Sequence, residues 1–95
     1  MQRVAITGIG VISALGFNQT DFWRALQCGC SGIRPIESID ASQIRFKNAA
    51  EVRGYVAEDE FSPGDLAFMD RFAQFALLSA REAITQAGVE WTAEL

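Results

Sequence analysis

Three observations predict an α/β fold. Residues 3–13, RVAITGIGVIS, are a β-branched run without polar alternation, the pattern of a strand covered on both faces. Ser62 and Pro63 form a helix start and Gly88 a helix stop, with an apolar stretch between them. A second, shorter helix is framed by Asn18 or Thr20 as cap and Gly29 as terminator.

Taken in order, the opening run is expected to be a central strand, and residues 14–18, ALGFN, break its pattern. The helix over about 19–27 then places Phe22, Trp23 and Leu26 on one face. Residues 31–35 form a turn or loop, and 36–47 mix apolar and polar residues with neither helical nor strand period, so that segment is expected to be irregular. Residues 49–56 can supply a short second strand, followed by the solvated acidic step of Glu58, Asp59 and Glu60.

The predicted helix over 63–87 carries apolar residues almost all round, with only Gln74 and Ser79 polar between Phe72 and Ala80. Such a helix must be enclosed, which a two-layer fragment of this size does not easily achieve. The tail from residue 89 to 95 adds no closing element, so the chain is expected to be one incomplete domain, 1–95.

Composition points the same way. Ninety-five residues permit a modest core, yet 49% are hydrophobic and 21% charged, so some apolar surface is expected to meet other protein. A net charge of −4 offers no field for phosphate backbones or anionic lipid. Thr7, Gly8 and Gly10 interrupt the early apolar run, which argues against a secretory leader, and no stretch has the roughly twenty apolar residues of a membrane span. A cytoplasmic location is expected.

The features that could carry chemistry are few. Thr7, Gly8, Ile9 and Gly10 partly match a dinucleotide fingerprint, but Ser13 stands where the third glycine belongs and the next helix starts too late to aim its amides at a phosphate. A packing role for the glycines is preferred over a nucleotide site. Cys28 and Cys30 lack a histidine anywhere in the chain to hold a thiolate, and their spacing strains a mutual disulfide, so they are expected to be reduced, structural residues at a helix end. Glu58, Asp59 and Glu60 are expected to be a solvated face, and Phe61, Phe68, Phe72 and Phe75 to be packing residues. No catalytic, cofactor-binding or metal-binding residue is assigned.

The residues as a series nevertheless resemble a known family. RVAITGIGVISALG over 3–16, Phe22 and Trp23 with Leu26, GCSGI over 29–33, MDRFAQFA over 69–76, AREA over 80–83 and Ala87-Gly88 together look like the start of a β-ketoacyl-[acyl-carrier-protein] synthase. The likeness is weakest between 36 and 60. The stretch at 13–16 is similar to the discrete, bacterial type, with Ala14 where proline is common; a nodulation-type variant is also compatible.

The resemblance implies a thiolase-like fold, of which this chain would be the first part of the first α/β half. It implies a parent acyltransferase that performs a decarboxylative Claisen condensation in fatty-acid or polyketide synthesis, with an acyl carrier protein as partner and no cofactor. In the family the nucleophile and the two histidines lie further along, and neither Cys28 nor Cys30 stands in the nucleophile motif. The basic residues that often precede the methionine-aspartate pair are missing from residues 62–68, SPGDLAF. Two alternatives stay open: a non-catalytic, chain-length-factor-like subunit of the same fold and, more distantly, an NAD(P)-binding oxidoreductase domain. Self-association of the chain is expected through Phe72, Phe75, Ala76 and Leu78 of the long helix.

Overall fold

The computed structural model describes residues 1–90. Its elements in chain order are α1 (Gln19–Gln27), β1 (Arg34–Pro35), β2 (Asn48–Ala49), a single 3-10 turn (Ala57–Asp59), α2 (Pro63–Leu66) and α3 (Arg71–Ala87). The last residues of the 89–95 tail lie outside the described residues.

Helix α1 forms where its caps place it. Asn18 is extended, and its side chain accepts from the Asp21 N–H at 2.8 Å, satisfying one of the donors that a helix start leaves without an intrahelical partner. The other end closes on a Schellman turn: the Gly29 N–H donates to Leu26 O (3.1 Å) and the Cys30 N–H to Ala25 O (3.0 Å). Gly29 has φ 70, a value the turn requires and an L-residue adopts only with strain.

The sheet is smaller than expected. Arg34 pairs with Ala49 and Pro35 with Asn48, antiparallel, so the second strand begins at residue 48 and is two residues long rather than spanning 49–56. Residues 34 and 35, read from sequence as loop, supply the partner strand. The expected central strand over 3–13 has no ladder partner among the described residues, and only Ser13 forms an isolated bridge, to Gly16. The reason is physical: a strand needs neighbours, and here the Ile9 and Val11 amides donate to side chains of α3 instead.

The predicted single helix over 63–87 is two. Ser62 caps α2 by accepting from the Asp65 N–H at 3.2 Å, with Pro63 at the first helical position, as the sequence indicates. The chain then tightens, the Phe68 N–H donating to Asp65 O three residues back, and Asp70 is extended at ψ 165, opening α3 as its N-cap. Breaking there frees the Met69 carbonyl, which accepts from Gln74 Nε2 at 3.1 Å. Gly88 ends α3 at φ 68, where the sequence puts the stop.

The core is slight. Among the described residues, Phe61 and Gln74 are the two that are buried. Around them Tyr55 sits edge-on to Phe75 (centroids 4.9 Å apart) and to Phe17 (6.3 Å). The Arg71 guanidinium lies over both the Tyr55 and Phe75 rings and donates to Val52 O at 2.7 Å.

Candidate functional site

The face of α3 that meets the N-terminal segment is built by glycines and two polar side chains. A Cβ on Gly8 would collide with the Ala83 carbonyl oxygen, and one on Gly10 with that of Ser79, so the extended segment lies directly on the helix backbone. Gln86 Oε1 accepts the Ile9 N–H at 2.7 Å. Glu82 accepts the Val11 N–H through Oε1 (3.0 Å) and the Gln19 N–H through Oε2 (2.9 Å). One carboxylate thereby ties the N-terminal segment and the start of α1 to α3, and its charge complements the positive end of the α1 dipole.

Beside it lies a small cleft of about 160 Å3, lined by Ile12, Phe17, Asn18, Tyr55, Glu60, Leu78 and Glu82. The Tyr55 hydroxyl donates to Gln74 Oε1 at 2.6 Å, so buried Gln74 joins Tyr55 to the Met69 carbonyl at the helix break. Partial burial pushes the Tyr55 phenol above its ordinary value, and the Glu60 charge adds to the shift. Tyr55 and Glu82 are each committed to a structural hydrogen bond, and this cleft pairs no nucleophile with a base.

A second polar cluster fixes the start of the loop after β1. Glu51 accepts from the Ser38 hydroxyl and from the Glu37 N–H (3.1 Å), and these bonds hold its carboxyl below the ordinary range, the Ser38 hydroxyl contributing most. Arg53 Nη2 lies 3.4 Å from Glu51 Oε2 and donates to Pro35 O at 3.1 Å. Arg53 Nε is buried without a hydrogen bond, 3.5 Å from Glu37 Oε2.

The residues singled out from sequence are scattered. Cys28 and Cys30 flank Gly29 at the end of α1, both free and exposed. Glu58, Asp59 and Glu60 are exposed on and just after the 3-10 turn. Phe22 is half-buried, but Trp23 and Leu26 are exposed, so the shared apolar face of α1 is largely uncovered.

Phe72, Phe75, Ala76 and Leu78 do not form one outward surface. Phe72 is 75% exposed and Ala76 is exposed, whereas Phe75 packs on Tyr55 and Leu78 turns into the cleft. The reason is the helical repeat, which sets residue 78 well round the axis from 72 and 76. Glu82, Gln86 and Tyr55 were not picked out from sequence. The one available sign was the polar pair of Gln74 and Ser79 within an apolar run.

The Beta-ketoacyl synthase, N-terminal domain family matches residues 1–94. The chain belongs to that family. It is 43% identical over 89 residues to the 3-oxoacyl-[acyl-carrier-protein] synthase 2 of Coxiella burnetii, covering 94% of this chain and 22% of the relative. It is 40% identical over 93 residues to the oxytetracycline polyketide putative beta-ketoacyl synthase 1 of Streptomyces rimosus, covering 98% and 22%. A solved structure, the ishigamide ketosynthase/chain length factor, aligns with a TM-score of 0.69 at 34% identity over 90% of this chain and 21% of its own.

The fold is thus a portion of the α/β, thiolase-like fold of β-ketoacyl synthases, and the chain spans about a fifth of the length of the relatives it matches. Gly8 and Gly10 both press their backbones on α3, the close packing preferred for this pair from sequence. No helix among the described residues is long and apolar enough to cross a membrane.

Proposed function

We propose that residues 1–95 are the N-terminal part of a discrete β-ketoacyl-[acyl-carrier-protein] synthase, an incomplete domain whose complete protein works in the cytoplasm on acyl groups held by a carrier protein. The observation that carries this reading is the sustained identity, 40–43% across nearly the whole chain, to both a 3-oxoacyl-[acyl-carrier-protein] synthase and a polyketide putative beta-ketoacyl synthase. In the complete protein a cysteine thiolate takes the acyl group from its thioester, expelling the carrier thiol. Malonyl thioester then loses carbon dioxide, and the resulting enolate carbon attacks the acyl-cysteine carbonyl, forming the C–C bond and releasing the thiolate. Such a step needs a low-pKa thiol and donors aimed at the developing oxyanion.

This chain's part in that chemistry is scaffolding. It has no histidine, and its two cysteines sit exposed at the end of α1, away from the cleft. What it contributes is the N-terminal segment, whose Val4 and Ile6 are 94% and 83% exposed while Gly8 and Gly10 press on α3. That arrangement suits a strand waiting for sheet neighbours from the rest of the protein. A chain-length-factor-like parent is the second reading, favoured by the structural likeness to a ketosynthase/chain length factor.

Alone, the chain self-associates through its uncovered apolar residues. Phe68 and Phe72, 92% and 75% exposed, belong to this surface together with Ala76, whereas Phe75 and Leu78 are already engaged. Each such phenylalanine left in water forgoes about 1.5–3 kcal/mol.

The test is a chimera in which residues 1–90 replace the matching segment of the Coxiella burnetii synthase. Condensation of acyl and malonyl carrier protein is expected in the folded chimera and none in the isolated chain. Turnover by the isolated chain would refute the assignment of a scaffolding role, and a folded but inactive chimera would refute the synthase reading.

A further inference from the structure

Cys28, Gly29 and Cys30 form a piece of surface that the condensing reaction leaves unused, and their arrangement is independent of that reading. Both thiols are free and exposed. The backbone beneath them is held by three hydrogen bonds, Cys28 N–H to Arg24 O (3.1 Å), Gly29 N–H to Leu26 O (3.1 Å) and Cys30 N–H to Ala25 O (3.0 Å). The two Cα atoms are two peptide steps apart, at most about 7 Å. Gly29 stands between them at φ 70, and apart from Gly29 and its two cysteine neighbours no residue comes within 4 Å of where its Cβ would be, so no other part of the fold covers the turn.

From this geometry we propose that Cys28 and Cys30 are a two-coordinate chelating site for a soft monovalent cation of the Cu(I) class. Closing a disulfide across a single residue is strained, so the pair persists as a dithiol and keeps its sulfurs available. In the proposed site, rotation about each Cα–Cβ bond brings the two sulfurs to one ion. Two thiolates satisfy a soft ion that accepts few sulfur ligands. They do not satisfy Zn(II), which takes four ligands, for the chain has no histidine and no group of three or more His, Cys, Asp or Glu is placed to hold a metal among the described residues. Binding converts both thiols to thiolates and releases two protons to solvent as the two S–Cu bonds form.

The experiment titrates the reduced 95-residue chain, without oxygen, with Cu(I) supplied as its acetonitrile complex and competed by a chromogenic Cu(I) chelator. One ion per chain is expected. Cys28→Ser and Cys30→Ser should each weaken retention by about a hundredfold or more, because each leaves a single thiolate without its tethered partner. Far-UV circular dichroism should be the same in all three proteins, since both side chains are exposed. Wild-type retention by either single variant would overturn the proposal, as would recovery of binding on mixing the two variants, which would place the ion between chains. Equal retention of Zn(II) against a matched chelator would overturn the two-coordinate assignment.

Discussion

Replacing Glu82 by alanine tests the bond pattern that holds the N-terminal segment in place. The carboxylate accepts two backbone amides, Val11 at 3.0 Å and Gln19 at 2.9 Å, and it is half-buried. A hydrogen bond to a charged group contributes about 1.5–3 kcal/mol when shielded, and partial exposure puts both bonds near the lower end. Their joint loss should cost about 2–3 kcal/mol, or about a 30- to 150-fold fall in the protection of these amides against hydrogen exchange. Glu82→Gln should lie between, because one amide oxygen can still accept while the NH2 group meets the second N–H donor to donor. Gln86→Ala is the control: it should expose only the Ile9 amide, which donates to Gln86 at 2.7 Å. Exchange by residue-resolved NMR reads all three. If Val11 and Gln19 keep their protection in Glu82→Ala while α3 stays helical, the carboxylate is not what ties these segments together.

Other expectations follow from the same structure. Gly10→Ala should push the N-terminal segment off α3, because the new methyl meets the Ser79 carbonyl; a cost of about 1–3 kcal/mol would show as a lower urea midpoint. Gln74→Leu fills the same space but strands the Tyr55 hydroxyl and the Met69 carbonyl, and a loss of about 1–3 kcal/mol should lower the thermal midpoint by about 4–8 °C per kcal/mol. Glu51 should titrate below the ordinary value of 4.5, so its contribution to stability is full above that pH and is lost as acid protonates the folded carboxyl. Ser38→Ala should move its NMR midpoint back up toward 4.5. Phe72→Glu should make the chain more monomeric in sedimentation, and an unchanged oligomer would remove Phe72 from the contact surface.

What the sequence disclosed was local. Asn18, Gly29, Ser62, Pro63 and Gly88 act through bonds spanning three to five residues, and each marks a real boundary of a helix. The break between α2 and α3 was not legible, because Asp70 in an apolar run is compatible with a helix interior until one knows that Gln74 reaches back for the Met69 carbonyl. Strand pairing was hidden for the same reason, as Arg34 and Pro35 acquire a partner only when residues 48 and 49 return alongside them. The apolar excess was visible in composition, but which residues it left uncovered depended on helix phase and on Tyr55. That separated Phe72 from Phe75 and Leu78. Glu82 was legible as part of AREA over 80–83 but not in its role, which is defined by amides 63 and 71 residues away.

Those separations set an order of events during synthesis. The Ile9, Val11 and Gln19 amides leave the ribosome first, but their acceptors on Gln86 and Glu82 follow 77, 71 and 63 residues later. At roughly 5–20 residues per second, the apolar start of the chain waits about 3–15 seconds for the helix that receives it. Helix α1 can form in that interval from its own caps, while the segment before it stays unmatched in water, a substrate for any factor that binds nascent hydrophobic chain. The glycines at positions 8 and 10, which let that late docking be close, also lower the β-propensity of the waiting segment and so its tendency to pair with the wrong strand.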